Sequence, residues 1–250
     1  MIFYYSGTGN SKHAADFVHE RFGGHMMDMA HAMRKSKLEY TLEKGERVIF
    51  VFPVYFGGLP RTVREFIAAV NIQGEDLEFC GIATMGKMAL GVDHRFKKAL
   101  KVRGMTMRAF YDVKMVENCI FLLDTPIKEA ALMTLKRSDA RLKDVADSME
   151  FNHRKPYKSG PLEWLASAVM YSFYGPTSGT KKFLVEDSCI GCGLCQTVCP
   201  LQIIEMEDGR PVWTKETCDH CAGCIMRCPV QAIQYGRGTR KRFRYVHPDV

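Results

Sequence analysis

Two copies of one cysteine pattern near the carboxyl end constrain this chain more than any other feature. The first copy is Cys189, Cys192, Cys195 and Cys199 with Pro200; the second is Cys218, Cys221, Cys224 and Cys228 with Pro229. Both read C-x2-C-x2-C-x3-C-P, the spacing that holds two [4Fe–4S] clusters, with the fourth cysteine of each run ligating the cluster of the other. The first three thiolates of a run can reach three corners of one cube. The fourth is followed by a proline that turns the chain away, so it faces the neighbouring cube. Cys189, Cys192, Cys195 and Cys228 are therefore expected around one cluster, and Cys218, Cys221, Cys224 and Cys199 around the other. Zinc also takes C-x2-C pairs, but its sites separate two pairs by a longer loop and have no use for a third close cysteine or a terminal Cys-Pro.

An internal repeat runs through the same region. An offset of 29 residues lays FLVEDSC at 183–189 on VWTKETC at 212–218, and CPLQII at 199–204 on CPVQAI at 228–233. Each half is expected to supply a short strand, a ligand loop and a return segment, packed as a pseudo-twofold pair.

A chain of 250 residues suits one ordinary domain and a small one. It can bury a core without disulfide staples, and its opening residues do not read as a signal peptide. Ten cysteines and fifteen methionines suit a reducing compartment, so a cytoplasmic protein is expected. No apolar run approaches the roughly 20 residues needed to span a bilayer. The formal charge of +7 is unevenly spread: residues 183–236 carry three basic and seven acidic side chains, and residues 237–250 carry five basic and one acidic. The basic tail (Arg237, Arg240, Lys241, Arg242 and Arg244) is expected to pack back on acidic surface or to dock an acidic redox partner. No base-reading motif accompanies it, so no nucleic-acid partner is expected.

The amino-terminal part has a different grammar. Met1–Tyr5 is a β-rich apolar run, Ser6, Gly7, Thr8, Gly9, Asn10 and Ser11 follow at once, and Lys12–Phe22 has apolar residues at helical spacing. A strand, a glycine-rich turn and a helix start present backbone N–H groups to an anion, aided by the helix dipole. A phosphate-binding G-x4-G-K-[ST] loop is absent, and Lys12 stands where the dinucleotide fingerprint needs its third glycine. Asp28 lies near the distance of a ribose contact but carries little weight without the glycine spacing. Further landmarks follow: a buried parallel strand at 47–53, the segment Pro53, Val54, Tyr55, Phe56, Gly57 and on to Pro60, a helix from about 61 to 69, a strand at 77–84 running into Thr84, Met85, Gly86 and Lys87, a helix at 90–102 and a strand near 107–113. Alternation of this kind predicts a doubly wound parallel sheet, with the ligand crevice at the carboxyl ends of the strands.

On these motifs residues 1–115 resemble a flavodoxin-like domain and 183–236 a bacterial two-cluster ferredoxin. With SGTGNS at the start, FPVYFGGLP in the middle and Tyr245, His247 and Pro248 near the end, the chain resembles the flavodoxin–ferredoxin fusions. The expected fold class is α/β, a flavodoxin-like doubly wound parallel sheet with a second, smaller α+β ferredoxin-like domain. The expected division is 1–150, a linker with an apolar helix at 151–182, the two-cluster domain at 183–236, and the tail at 237–250. The resemblance implies electron transfer between two [4Fe–4S] clusters and an FMN held by loops 6–11, 53–57 and 84–87, to or from a redox partner protein or a small-molecule acceptor. Ordinary flavodoxins sandwich the flavin between aromatics from two loops. Tyr55 and Phe56 supply one, while 84–88 has none, which leaves Met85 or an open face; Lys87 is placed to favour an anionic reduced flavin. The alternatives are a cluster-only electron carrier on a flavin-free scaffold and, lower, a redox-responsive regulator.

Cys80 and Cys119 read as buried packing residues, and His220 as a neighbour of the ligand loop rather than a ligand; the other histidines have no metal-like spacing. Pro126–Met149 reads as a long amphipathic helix and 152–160 as a polar linker. Leu162–Tyr174 is apolar nearly all round and too short to span. Its expected place is a wedge between the domains or a dimer contact; flanking lysines leave a peripheral membrane contact as the lesser alternative.

Overall fold

A computed structural model describes residues 1–151 and 156–249. Residues 152–155 of the expected polar linker lie outside the described residues. The elements run β1 (Ile2–Tyr4), α1 (Asn10–Phe22), β2 (Met26–Asp28), α2 (Met29–Arg34), β3 (Glu39–Thr41), β4 (Arg47–Pro53), α3 (Arg61–Ala69), β5 (Asn71–Gln73), β6 (Glu78–Met85), α4 (Val92–Val102), β7 (Met107–Lys114), α5 (Lys128–Phe151), α6 (Pro161–Ser172), α7 (Tyr174–Thr177), β8 (Phe183–Val185), α8 (Leu194–Thr197), β9 (Ile204–Glu207), β10 (Arg210–Trp213), α9 (Gly223–Arg227) and β11 (Ile233–Tyr235).

Five strands form a parallel sheet in the order β2-β1-β4-β6-β7. The apolar runs of β4 and β6 are buried on both faces, as parallel strands covered by helices must be. One face packs Phe3, Phe50, Phe52 and Phe110 against Phe66 of α3 and Phe96 of α4. The other packs Ile49, Val51, Ile82 and Val113 against Ala14, Ala15 and Val18 of α1 and Leu135, Leu142 and Val145 of α5. The strand order reverses between β1 and β4, and a crevice opens at their carboxyl ends, where such sheets bind ligands.

The carboxyl-terminal module contains two short antiparallel ladders, β8 with β11 and β9 with β10. Each ladder joins the entering strand of one repeat to the returning strand of the other. A separate small core, with Ile203, Ile204, Ile225 and Ile233 among the cysteines, holds it together.

Helix α6 corrects the expectation of a buried wedge. Its apolar side chains face outward: Leu162 is 82% exposed, and Trp164, Leu165 and Val169 are all more than half exposed. Its inner face is polar. Ser167 donates to Gly57 O at 2.7 Å and accepts from Arg95 Nε at 3.1 Å, Tyr171 donates to Leu59 O at 2.7 Å, and the Arg95 guanidinium lies over the Tyr171 ring. The flanking segment is tied down as well, with Tyr157 donating to Leu90 O and Ser159 to Asp93. No helix among the described residues is long and apolar enough to cross a membrane.

Candidate functional site

The loop after β1 is a braced turn. Gly9 takes φ 103°, a left-handed conformation that suits glycine, and caps α1. Gly9 N–H donates to Ser6 Oγ at 3.2 Å. The Asn10 amide donates to Val116 O at 2.9 Å and its oxygen accepts from Tyr245 at 2.7 Å. Ser11 and Thr84 share a hydroxyl hydrogen bond at 2.7 Å. Thr8 Oγ1 accepts from Asn118 Nδ2, and Thr8 O accepts from His247 N–H at 2.9 Å. Thr8, Asn10 and Ser11 are all buried, so their side chains chiefly set the shape of the loop. The first turn of α1 leaves the N–H groups of Asn10, Ser11 and Lys12 without intrahelical acceptors, and the dipole of a 13-residue helix favours an anion beside them.

A crevice of about 310 Å³ opens beside this loop. Ser6, Gly7, Thr8, Asn10, Ser11, Pro53, Val54, Tyr55, Phe56, Gly57, Thr84, Met85, Gly86 and Lys87 all line it; of the residues expected there, Gly9 alone does not. Met85 is buried, while Lys87 is exposed at the rim. Phe56 stacks on Tyr174 at 5.5 Å, and Tyr55 meets Tyr5 and Tyr174 edge-on.

Two stretches of the wall, besides the single residues Leu90 and Met170, escaped the sequence reading. The stretch after β7, from Val116 to Leu123, contributes one side. Its signal was its position after the last strand of the parallel sheet, not any motif. Phe121 in this stretch stacks on His220 at 4.4 Å, an aromatic surface that loop 84–88 lacks. Cys119, expected only in packing, lies in the same wall, its thiol pushed up to about 11 by burial. Cys80 is buried in β6 as expected. The other missed part is Asp219, His220 and Cys221, which belong to the second ligand loop. His220 donates its backbone N–H to Cys218 Sγ at 3.3 Å, and burial lowers the pKa of its ring.

The two modules are in intimate contact there. A Cβ built on Gly7 would lie 2.3 Å from Cys221 O and 2.7 Å from Cys221 Cβ. Asp219 is fully buried and gathers donors from the other module: Tyr5 Oη at 3.0 Å, Thr62 N–H at 3.1 Å and Thr62 Oγ1 at 2.5 Å. Tyr174 Oη lies 3.3 Å from its second oxygen. Burial, with Asp219 next, holds the Tyr5 phenol well above its ordinary pKa.

Among the cysteines, Cys189, Cys192, Cys195 and Cys228 line one small cavity with Ile190, Met206 and Val230. Burial raises the thiol pKa of Cys218, Cys221 and Cys224, and Cys199 lies near enough to all three to add to it. The Cys228 sulfur accepts the N–H of Ala232 at 3.3 Å. Arg244 lies beside Cys224 and Cys228, with its Nε and Nη1 buried and without a hydrogen-bond partner. A guanidinium left with orphan donors beside buried sulfurs fits an anionic metal–thiolate group.

The tail packs back on the protein. Arg240 pairs with Glu186 at 2.8 Å, Arg242 with Asp124 at 3.1 Å and Ile120 O at 2.6 Å, and Tyr245 is buried against Asn10.

Comparison with known proteins assigns both parts. Residues 1–101 match the flavodoxin domain family, and residues 181–229 match the 4Fe–4S dicluster domain family. Nothing among curated proteins matches the chain. Among solved structures, the Trp repressor binding protein from Bacillus subtilis aligns over 59% of this chain and 96% of its own at 14% identity and a TM-score of 0.38. The Streptococcus pneumonia TIGR4 flavodoxin aligns over 58% and 97% at 17% identity and a TM-score of 0.32. Rubredoxin oxygen:oxidoreductase from the anaerobe Desulfovibrio gigas aligns over 59% and 36% at 13% identity and a TM-score of 0.34. An N-terminal flavodoxin domain is joined in this chain to a C-terminal 4Fe–4S dicluster domain, a pairing that suggests electron transfer.

Proposed function

We propose that the protein relays electrons between an FMN in the crevice and two [4Fe–4S] clusters, and through them to or from a redox partner protein or small-molecule acceptor. The observation that carries this reading is the shared wall. The crevice is bounded on one side by the loop that starts α1 and on another by Cys221, a cysteine of the second run. A bound FMN would supply two-electron chemistry and also exchange electrons singly, matching the one-electron clusters.

This chain's own residues divide the work. The first turn of α1 would hold the phosphate with backbone N–H groups, on a loop braced by Asn118, Thr84 and His247. Tyr55, Phe56 and Phe121 would bound the ring site and exclude water. Cys199, Cys218, Cys221 and Cys224 would hold the inner cluster, against the crevice. Cys189, Cys192, Cys195 and Cys228 would hold the outer one. Cys192 is exposed and Ile190 is 63% exposed beside it, which makes this the side for a partner to meet. Orphan donors of Arg244 would stabilise the reduced, more negative state of the clusters.

One observation favours the flavin-free alternative: Thr8, Asn10 and Ser11 already spend their side chains on internal hydrogen bonds. Anaerobic reconstitution followed by a flavin assay and a visible spectrum separates the two. Stoichiometric FMN with iron–sulfur absorption is expected. Clusters without flavin would reduce the protein to a cluster carrier on a flavodoxin scaffold.

A further inference from the structure

The far side of the phosphate-loop brace brings together residues from opposite ends of the chain. His13 sits on the second turn of α1, and His247 and Asp249 lie near the carboxyl end. Their rings stack, His13 on His247, at 4.0 Å between centroids and 25° between planes. One ligand atom from each of the three residues lies within 4.8 Å of the others.

The hydrogen bonds around this group fix where its lone pairs point. His13 Nε2 lies 2.8 Å from Asp139 Oδ1 on α5. A carboxylate can only accept, so Nε2 carries the proton and, in neutral imidazole, Nδ1 keeps its lone pair. His247 Nδ1 accepts the backbone N–H of Asp249 at 3.3 Å, so its lone pair is also on Nδ1. Asp249 Oδ2 lies 3.6 Å from His13 Nδ1 and 3.9 Å from His247 Nδ1. His13 Nδ1 and Asp249 Oδ2 thus face one another with no donor hydrogen between them, a repulsion that a positive centre would relieve, and an ion bound at His247 Nδ1 would take the place of the Asp249 N–H. Zinc bonds imidazole nitrogen and carboxylate oxygen at about 2.0–2.2 Å, so ligand atoms around it stand roughly 3.4 Å apart. The two separations to Asp249 need to contract by about 0.2 and 0.5 Å, and the two imidazole nitrogens, which lie within 4.8 Å of one another, must also close up. Asp139 on the outer nitrogen of His13 supplies the orienting carboxylate that metal-bound histidines usually have.

We propose that His13, His247 and Asp249 bind one divalent transition-metal ion, with zinc as the expected species. Two imidazoles and a carboxylate suit zinc and its neighbours rather than calcium or magnesium. Asp249 is well exposed, which leaves a fourth position for water. The ion would pin the carboxyl-terminal segment to α1. Because His247 N–H also holds Thr8 O, the same pin would stiffen the loop at the crevice.

The test uses the cluster-loaded protein, so that the cysteines are occupied, and zinc alone as the probe. Equilibrium dialysis with metal analysis should find one zinc bound without loss of iron. His13→Ala and Asp249→Asn should each weaken it at least tenfold while iron content and fold stay as in the wild type. Zinc-edge X-ray absorption should show a nitrogen/oxygen shell near 2.0 Å with imidazole scattering; a sulfur shell near 2.3 Å would place the zinc on cysteines and overturn the proposal. So would equal binding by the two variants, or no binding by the wild type.

Discussion

Replacing Gly7 by Ala tests the seam between the two modules with a single methyl group. The added carbon would lie 2.3 Å from Cys221 O, 2.7 Å from Cys221 Cβ and 3.0 Å from Cys221 C. All three atoms belong to or adjoin the backbone of a ligand loop, so no flexible side-chain end can swing away. Reaching ordinary contact near 3.4 Å requires a shift of about an ångström in one module. Overpacking of this kind costs about 1–3 kcal/mol, and the rigid obstacle argues for the upper part of that range. For a chain of this size each kcal/mol moves Tm by about 2–4 °C, so a fall of roughly 2–12 °C is expected in anaerobic thermal unfolding. Flavin affinity should drop with it, because the shifted atoms form the crevice wall, while iron content stays near the wild-type value. Gly238→Ala is the control: its added carbon meets nothing within 4 Å, and stability should hold within about 0.5 kcal/mol. A Gly7→Ala protein as stable as this control, with undiminished flavin binding, would refute the seam as described.

Iron analysis after anaerobic reconstitution should give about eight irons per chain, and Cys199→Ala should damage the cluster on Cys218, Cys221 and Cys224 more than the other; electron paramagnetic resonance showing the reverse would reject the crossed ligation. Thr8→Ala combined with Ser11→Ala should weaken FMN binding at least tenfold by freeing the loop from Asn118 and Thr84, with the iron–sulfur spectrum intact, and equal affinity would mean the loop does not hold the phosphate. Arg244→Gln removes a positive charge beside Cys224 and Cys228 and should lower a cluster reduction potential in a spectroscopic titration; an unchanged or raised potential would count against the role given to Arg244. Asp219→Ala strands the hydroxyls of Tyr5 and Thr62 in the seam; with hydrogen bonds to a charged group worth about 1.5–3 kcal/mol each, denaturation should show a loss of at least 3 kcal/mol.

The cysteine runs were legible because their spacing is itself coordination geometry. The strands β4 and β6 were legible because burial on both faces demands an unbroken apolar run. By contrast β2, β3 and β5 have three residues each, too few to show any period, and β2 ends in Asp28, which caps α2. The Val116–Leu123 wall carries no motif, since its role comes from standing at the end of β7. The burial expected of α6 between the domains failed because hydropathy records what exposure costs, not which neighbours exist. Ser167 and Tyr171 are drawn inward by the carbonyls of Gly57 and Leu59, and that turns the leucines out. The charges of the tail were visible, but the contact of Tyr245 with Asn10 joins positions 235 residues apart and leaves no local trace.

The strand exchange in the carboxyl-terminal module also has a historical reading. Because β8 pairs with β11 and β9 with β10, neither repeat closes a ladder on itself. A solitary repeat would expose two unpaired edges, and unpaired edges seek another chain. Such an ancestor could have folded as a symmetric pair of identical peptides, each lending a strand to the other. Joining the two copies end to end would have turned that association into an intramolecular one and left the copies free to diverge. One half could then face solvent while the other specialised in gripping its neighbour through Asp219 and Cys221.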